Sequence, residues 1–246
     1  MKKPLKLETT SFFLHVLAMV LMLCDHMWAS IIPGNDWLNG IGRLAFPIFA
    51  FLLVEGYFHT RSVKKYALRL LIFAMISEIP FNLVVSSRVF YPFHQNIMWT
   101  LLLALGLMHW NERVKISGKE WKRIAVAAVS ILLGYVAGVV AFVDYFQAGV
   151  ITVLIFYFFR EQKWQHRVAQ LVCLWYINFE MLRGIGREIV LFGQTIFLPR
   201  QGLALLALIP IWLYRGKQGY HSKVMQYINY GFYPAHLLVL GILKLL

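Results

Sequence analysis

Long apolar runs alternate with short basic or polar segments along almost the whole chain. A helix needs about 20 mostly apolar residues to cross roughly 30 Å of hydrocarbon. The stretch 183–200 is rich in glycine, so we predict an irregular loop there. The fold class is therefore all-α, a polytopic transmembrane helical bundle with one domain over residues 1–246. We predict about nine spans, at 10–32, 37–58, 66–87, 96–110, 124–142, 145–159, 166–182, 198–214 and 227–245.

Composition places this chain in a bilayer. Hydrophobic residues make up 60% and charged residues 14%, with a mean hydropathy of +0.64. Soluble domains contain about 45–50% apolar and about 25% charged residues. The net charge of +13 would suggest nucleic acid in a soluble protein, but here the basic residues lie between apolar runs, as in cytoplasmic loops. We therefore predict a multi-pass protein of the cell (plasma or inner) membrane, with lipid and not nucleic acid as a partner. An oligomer is compatible with the sequence.

The distribution of basic residues predicts the orientation. Cytoplasmic loops carry an excess of Lys and Arg. With the N-terminus inside, the outside segments hold only Arg88, Arg183, Arg187 and Arg200, and Lys244 ends the last span. This bias predicts an N-in, C-out topology. The inside segments hold Lys2, Lys3, Lys6, Arg61, Lys64, Lys65, Arg113, Lys115, Lys119, Lys122, Arg123, Arg160, Lys163, Arg167, Arg215, Lys217 and Lys223.

Ionisable residues inside the apolar runs are the strongest functional signal. Several such groups left unpaired would cost on the order of 15 kcal/mol, so they must pair or line a polar cavity. At 1.5 Å per residue, His26 lies roughly 22 Å along the first span. The predicted topology gives an outer layer and an inner layer; the inner one holds Glu55, His59 and Arg69. The outer layer and the middle of the last span hold Asp25, His26, Arg43, Glu78, Asn96, Asp144 and His236.

The outer residues have structural as well as functional explanations. Asp25 and Arg43 can form a buried ion pair. Neighbouring helical residues point about 100° apart, so Asp25 does not face His26. If His26 faces a cavity, Asp25 faces a neighbouring helix. His26 is otherwise a core histidine bonded to a carbonyl, and His236 can bond a carbonyl that Pro234 leaves free.

The remaining candidates also have two interpretations. Glu55 and His59 share a helix face, but two ligands make a weak zinc site, and we predict no metal. Arg69 either joins the inner layer or extends to the cytoplasmic interface. Asn96 and Asp144 are each candidates for helix N-caps. Glu78 either tunes a site or, two residues before Pro80, marks a kink.

The sequence lacks the H-E-x-x-H, G-x-S-x-G and phosphate-loop motifs, which argues against a metalloprotease, a serine hydrolase or an ATP-driven transporter.

Four motifs resemble one known family. LMLCDHMW (21–28) is followed by GIGRLAFPIFAFLLVEGYFHT (40–60) and KYALRLLIFAMISEIPFNL (65–83), and YGFYPAHLLVL (230–240) lies near the C-terminus. Together they resemble the TraX family, typified by the pilin-N-acetylating membrane protein of conjugative plasmids. The family itself resembles the wider clan of multispan membrane acyltransferases. The motifs cover roughly half of the chain, and the 111–123 and 183–200 loops have no counterpart in them.

The resemblance implies a membrane acetyltransferase that uses acetyl-CoA as co-substrate. It would acetylate an amine or hydroxyl, on a peptide or pilin N-terminus or on a surface glycan, at the outer half of the membrane. His26 would be the base, with Asp25 orienting helices or holding Arg43. Asn96 would donate to the oxyanion or position the acceptor, and Glu78 would tune the site. The residues expected to bind the two substrates are Arg43, Glu55, His59, Arg69, Asp144 and His236.

Two other functions fit the same residues. Ionisable groups near the bilayer midplane also serve proton coupling, so a transporter or flippase is the alternative. A structural or assembly partner in the membrane is the third interpretation.

Overall fold

The computed structural model describes residues 8–117, 119–191 and 194–246. Lys2, Lys3, Lys6 and Gly193 lie outside this range, and the side chains of Lys115 and Lys223 are also not described. The helices are α1 (Ser11–Ser30), α2 (Asp36–Gly42), α3 (Ala45–His59), α4 (Val63–Ser86), α5 (Ile97–Ser117), α6 (Glu120–Val140), α7 (Phe146–Phe158), α8 (Trp164–Tyr176), α9 (Leu208–Trp212) and α10 (Lys223–Leu245).

Every predicted span coincides with helical structure, and three of them are composite. The second is α2 followed by α3, interrupted at Arg43 and Leu44. The seventh continues from α8 into a π-helical turn at Ile177–Met181, and the eighth is a 3₁₀ segment, Arg200–Ala207, that leads into α9. Within the described residues, four helical stretches are long and apolar enough to cross a membrane: Ser11–Ser30, Asp36–His59, Val63–Ser86 and Glu120–Val140. Helical structure and a membrane location are thus supported.

The prediction of an irregular loop at 183–200 is wrong. β1 (Gly186–Leu191) and β2 (Gln194–Pro199) form an antiparallel hairpin in which Ile189 faces Ile196 and Val190 faces Thr195. β-Branched residues favour strands, and the pairs Ile189–Val190 and Thr195–Ile196 outweigh the glycines on which the prediction relied. The fold is therefore not purely all-α.

The connecting segments gather at two ends of the bundle. At one end, which we call the inner end, Thr9 pairs with Tyr214 and the Gln162 side chain donates to the Tyr214 carbonyl. At the opposite, outer end, Gln95 pairs with Val143 and the Lys244 ammonium donates to the Val84 carbonyl. Segments predicted to lie on one side of the membrane therefore contact one another.

The core lies around α3 and α7. Ile48 and Val54 of α3 and Val150 and Val153 of α7 have no exposed surface. α1, α5 and α7 pack against α3, and α10 packs along α4 and α1. α6 lies at the periphery, with most of its apolar side chains on the protein surface, as suits contact with lipid. Several of the polar side chains described next lie between α1, α4 and α10.

Candidate functional site

Two histidines from the first and last helices form the centre of the polar interior. His26 Nδ1 lies 2.7 Å from His236 Nε2, and the two rings are nearly parallel, at 16°. His236 Nδ1 lies 2.6 Å from the Phe232 carbonyl oxygen. That carbonyl is not the one predicted, because Pro234 frees the carbonyl of Tyr230, four residues before it. The loss of an N–H at Pro234 thus does not explain how His236 is satisfied.

These contacts determine which nitrogens of the neutral pair carry hydrogen. A carbonyl oxygen can only accept a hydrogen bond, so His236 Nδ1 carries the hydrogen. His236 Nε2 then bears the lone pair and can only accept. His26 Nδ1 must then donate to His236, which leaves the lone pair of His26 on Nε2. His26 Nε2 makes no hydrogen bond to any described residue. The ring is half-buried, so the pair presents one oriented base.

Asp25 and Arg43 form an ion pair, as the sequence indicated. Asn39 Nδ2 donates to Asp25 Oδ1 at 2.8 Å, and Arg43 Nη1 donates to Gln201 Oε1 at 3.4 Å. Asp25 thus faces α2 while His26 faces α10, which confirms the argument from their 100° separation. The helices are close here: a Cβ on Gly42 would lie 2.9 Å from the Asp25 Cα. The Arg43 Nε is buried and has no hydrogen-bond partner.

Glu78 and Asn96 form a second contact within the outer layer. Asn96 Nδ2 donates to Glu78 Oε2 at 2.5 Å and to the Ala74 carbonyl at 2.8 Å, so both amide hydrogens are used. Asn96 Oδ1 accepts from the Met98 N–H, as an N-cap of α5 does. The Trp99 indole also donates to Glu78 Oε2. The other carboxylate oxygen, Oε1, is buried without a partner.

Asp144 lies between α6 and α7, where it accepts from His94. The two atoms, His94 Nε2 and Asp144 Oδ1, are 3.1 Å apart. Burial alone lowers the pKa of His94, but the hydrogen bond and charge of Asp144 and the charge of Glu78 outweigh it, and the pKa is raised above 6.5. The prediction that Asp144 is an N-cap is wrong: Tyr145 precedes α7, with a left-handed φ of 58°, stacked on Phe46.

The outer polar residues act on one another electrostatically. Arg43 and Asp144 act on His26, and Asp144 and Glu78 both act on Tyr233, whose ring is 6.3 Å from that of His26. The outer cluster therefore comprises Asp25, His26, Arg43, Glu78, Asn96, Asp144 and His236.

The predicted inner layer, by contrast, separates into unrelated contacts. The Glu55 carboxylate binds Arg160 Nε at 2.7 Å, while His59 Nδ1 bonds the Glu55 carbonyl, so the two side chains do not form a ligand pair. Arg69 Nε donates to the Tyr230 hydroxyl and lies over the Tyr66 and Tyr230 rings. Arg69 is thus held by α10 rather than joined to Glu55. Within the described part of the chain, no three His, Cys, Asp or Glu side chains are grouped as metal ligands.

Several residues of the polar network could not be found from the sequence. Asn39 and Gln201 complete the partners of the Asp25–Arg43 pair, yet neutral amides stand out little among loop residues. Arg160 is a basic residue in a predicted loop, and only packing brings it to Glu55, 105 residues earlier. His94 was a recognisable signal, because it is a histidine two residues before Asn96.

A helical bundle with spans apolar enough for a bilayer and a buried ionisable cluster defines a membrane protein with a polar interior site. The chain belongs to the TraX family: the family model described as "TraX protein" matches residues 11–244. The chain is also 27% identical over 247 residues to a Dichelobacter nodosus protein named "Probable fimbrial assembly protein FimC, serogroup H1", with 95% of each chain covered. No solved structure matches the chain. The predicted family is thus confirmed.

Proposed function

We propose that this protein is a membrane-embedded acetyltransferase that moves an acetyl group from cytoplasmic acetyl-CoA to an amine or hydroxyl acceptor. In this proposal the chain crosses the inner membrane nine times, with the N-terminus inside and the C-terminus outside. The inner end then faces the cytoplasm, where CoA is made, and the outer cluster lies in the outer half of the bilayer.

The observation that carries the proposal is the His26–His236 pair. A neutral imidazole with one nitrogen oriented by a partner and the other free is the arrangement that general-base catalysis requires. Ionisable side chains within membrane spans are rare because their burial is costly, and those that occur usually mark a functional site. The outer cluster also holds the Arg43 cation, and a charged hydrogen-bond donor can stabilise the oxyanion of an acyl transfer.

The reaction follows from these positions. The acceptor nitrogen or oxygen attacks the thioester carbonyl carbon, and its proton passes to His26 Nε2. The resulting imidazolium stays bonded to His236 through Nδ1–H. Collapse of the tetrahedral intermediate breaks the C–S bond, and the proton on His26 goes to the leaving sulfur. The products are the acetylated acceptor and free CoA, and the base is regenerated.

We assign the oxyanion to Arg43 rather than to Asn96. Both amide hydrogens of Asn96 already have protein partners, whereas the Arg43 Nε is a buried donor without one. Asp25 and Gln201 hold the other end of the guanidinium, so the donor is fixed before substrate arrives. Asn96 then positions Glu78 at the outer end, where the Glu78 and Asp144 carboxylates can accept hydrogen bonds from a neutral acceptor amine.

The acceptor in this proposal is a pilin-type polypeptide with a free N-terminus, and a surface glycan is the other candidate. Support comes from the family and from the name of the Dichelobacter nodosus relative, which refers to fimbrial assembly.

Mass spectrometry of surface material tests the proposal directly. Pili and surface glycans from cells with the wild-type protein, without it, and with His26→Gln are compared. We expect one acetyl group on an acceptor in wild-type cells and its loss in both other strains. Identical masses in all three strains would refute an acetyl transfer, and dependence of a cargo's uptake on the proton gradient would then favour a transporter.

A further inference from the structure

A cavity lined by both polar and apolar side chains opens at the inner end of the bundle, and none of its lining residues belongs to the outer cluster. Its volume is about 420 Å³, within the range of small-molecule sites. α3, the segment before α8, α8 itself, and the end of α9 with the segment that follows it form its walls. Phe51, Ile211 and Trp212 supply an apolar part, and Gln170, buried and bonded to the Trp212 indole, supplies a polar part.

Three arginines line this cavity: Arg160, Arg167 and Arg215. Arg160 is held by Glu55 through Nε and by the Phe58 ring, 4.2 Å from its guanidinium carbon. The Arg160 guanidinium is therefore oriented before any ligand binds.

The other two arginines are not neutralised. Arg215 Nη1 donates to Gln162 Oε1, and Arg167 lies 5.9 Å from the Trp212 ring. Neither has a carboxylate within 4 Å among the residues that the structure describes. Of the two acidic side chains on the wall, Glu55 pairs with Arg160 and Glu161 with Lys163. The cavity thus presents two guanidinium groups that lack an anion.

We infer that this cavity binds the phosphate groups of a CoA thioester. Planar guanidinium groups bind phosphate oxygens through two parallel hydrogen bonds, and three around one cavity suit a ligand with several phosphates. The inference rests on the proposed function for the identity of the ligand. It places the phosphates away from Arg69, one of the residues expected to bind a substrate, because Arg69 does not line the cavity.

The distance between the two sites suits such a donor. Glu55 in the cavity wall and Arg43 in the outer cluster lie twelve residues apart on the second predicted span, roughly 18 Å at 1.5 Å per residue. CoA carries its sulfur at the end of a long flexible arm, away from its phosphates. With the phosphates at the inner end, the thioester is directed toward the outer half of the membrane.

The test measures CoA binding to the purified full-length protein in phosphatidylcholine nanodiscs. CoA carries no acetyl group, so binding is read independently of transfer. We expect Arg167→Gln/Arg215→Gln to weaken CoA binding at least roughly tenfold, because two charge-assisted contacts are lost. Arg215→Lys, which keeps the charge, should lose less than Arg215→Gln. Arg88→Gln, an exposed arginine at the outer end, is the matched control and should bind normally.

Three outcomes would overturn the inference. One is an unchanged dissociation constant in the double variant. Another is an equal loss in Arg88→Gln. The third is displacement of CoA from the wild type by added phosphatidylglycerol, which would make a lipid headgroup the occupant. Should the double variant misfold, Arg215→Gln alone decides, since this side chain is exposed.

The two proposals fail in different ways. If surface acetylation is present but the double variant binds CoA normally, the cavity is not the phosphate site and the acetyltransferase stands. If CoA binding depends on these arginines but no surface material is acetylated, the assignment of the phosphate site is supported and the proposed acetyl transfer is refuted.

Discussion

Replacement of His26 tests the chemistry most sharply. Loss of a general base typically costs about 10²–10⁴ in rate, or about 3–5 kcal/mol of transition-state stabilisation at 1.36 kcal/mol per tenfold. We expect this loss in His26→Gln and in His26→Ala. His26→Asn should fail equally, although its amide nitrogen can take the place of Nδ1 and keep the bond to His236. Equal inactivity of His26→Asn would show that the rate is lost because the proton acceptor is missing, and not because the contact between the two helices is broken.

Substitution of His236 separates a base from a residue that orients one. In His236→Gln the new amide oxygen can take the place of Nε2 and still accept from His26, whereas the side chain introduced by His236→Leu has no acceptor. We therefore expect His236→Gln to lose roughly tenfold or less and His236→Leu to lose substantially more. If His236 is itself the base, both variants should be equally inactive.

The assay is thiol release from acetyl-CoA by the purified protein, with a synthetic peptide that has the sequence of a pilin N-terminus as acceptor. His15→Gln is the matched control, because His15 is on the same helix and, among the described residues, its side chain bonds only Ser11. Near-normal turnover in His26→Gln with intact CoA binding would exclude His26 as the base. Inactivity of His15→Gln would show that the assay reports helix disruption.

Three further predictions follow from the topology, the helix packing and the outer loop. Reporter fusions at Lys119 and Leu246 should report opposite sides of the membrane, and the same side for both would refute the nine-span topology. Gly42→Ala should lower the thermal midpoint by several degrees, because overpacking typically costs about 1–3 kcal/mol. Gly106→Ala is the control and should not lower it, because there is open space around Gly106. Equal midpoints for the two variants would refute the close approach of Gly42 to Asp25. The pKa of His94 is raised in the folded state, so its ion pair with Asp144 stabilises the protein fully below pH 6.5 and is lost as the pH rises through the folded-state pKa. His94→Gln should therefore flatten the decline of the thermal midpoint from about pH 6 to 8. An unchanged decline would show that the ion pair is not its cause.

The helices could be predicted because bilayer-length apolar runs are local features. The composite second span was the limit of that reasoning: its apolar run continues past the point where the helix breaks at Arg43. The hairpin was missed because its strands are six residues each and lie beside glycines, so the composition indicated a loop.

The sequence allowed contacts between site residues to be predicted only where two buried opposite charges had to pair with each other. Asp25 and Arg43 are opposite charges in adjacent apolar runs, and burial leaves them few other partners. Glu55 was assigned to a neighbour on its own helix, His59, because the sequence shows helix faces but not which loops meet. Its partner Arg160 reaches it through the packing of α7 against α3, which no local pattern encodes.

His26, the proposed base, and His236, proposed to orient it, are separated by 210 positions in the chain, on the first and last helices. A chain synthesised from its N-terminus carries His26 into the membrane long before α10 exists. Until α10 inserts, His26 lacks the contact with His236 that fixes its tautomer in the folded protein. In the proposed mechanism, a nascent or C-terminally clipped protein would therefore have the base without the residue that orients it.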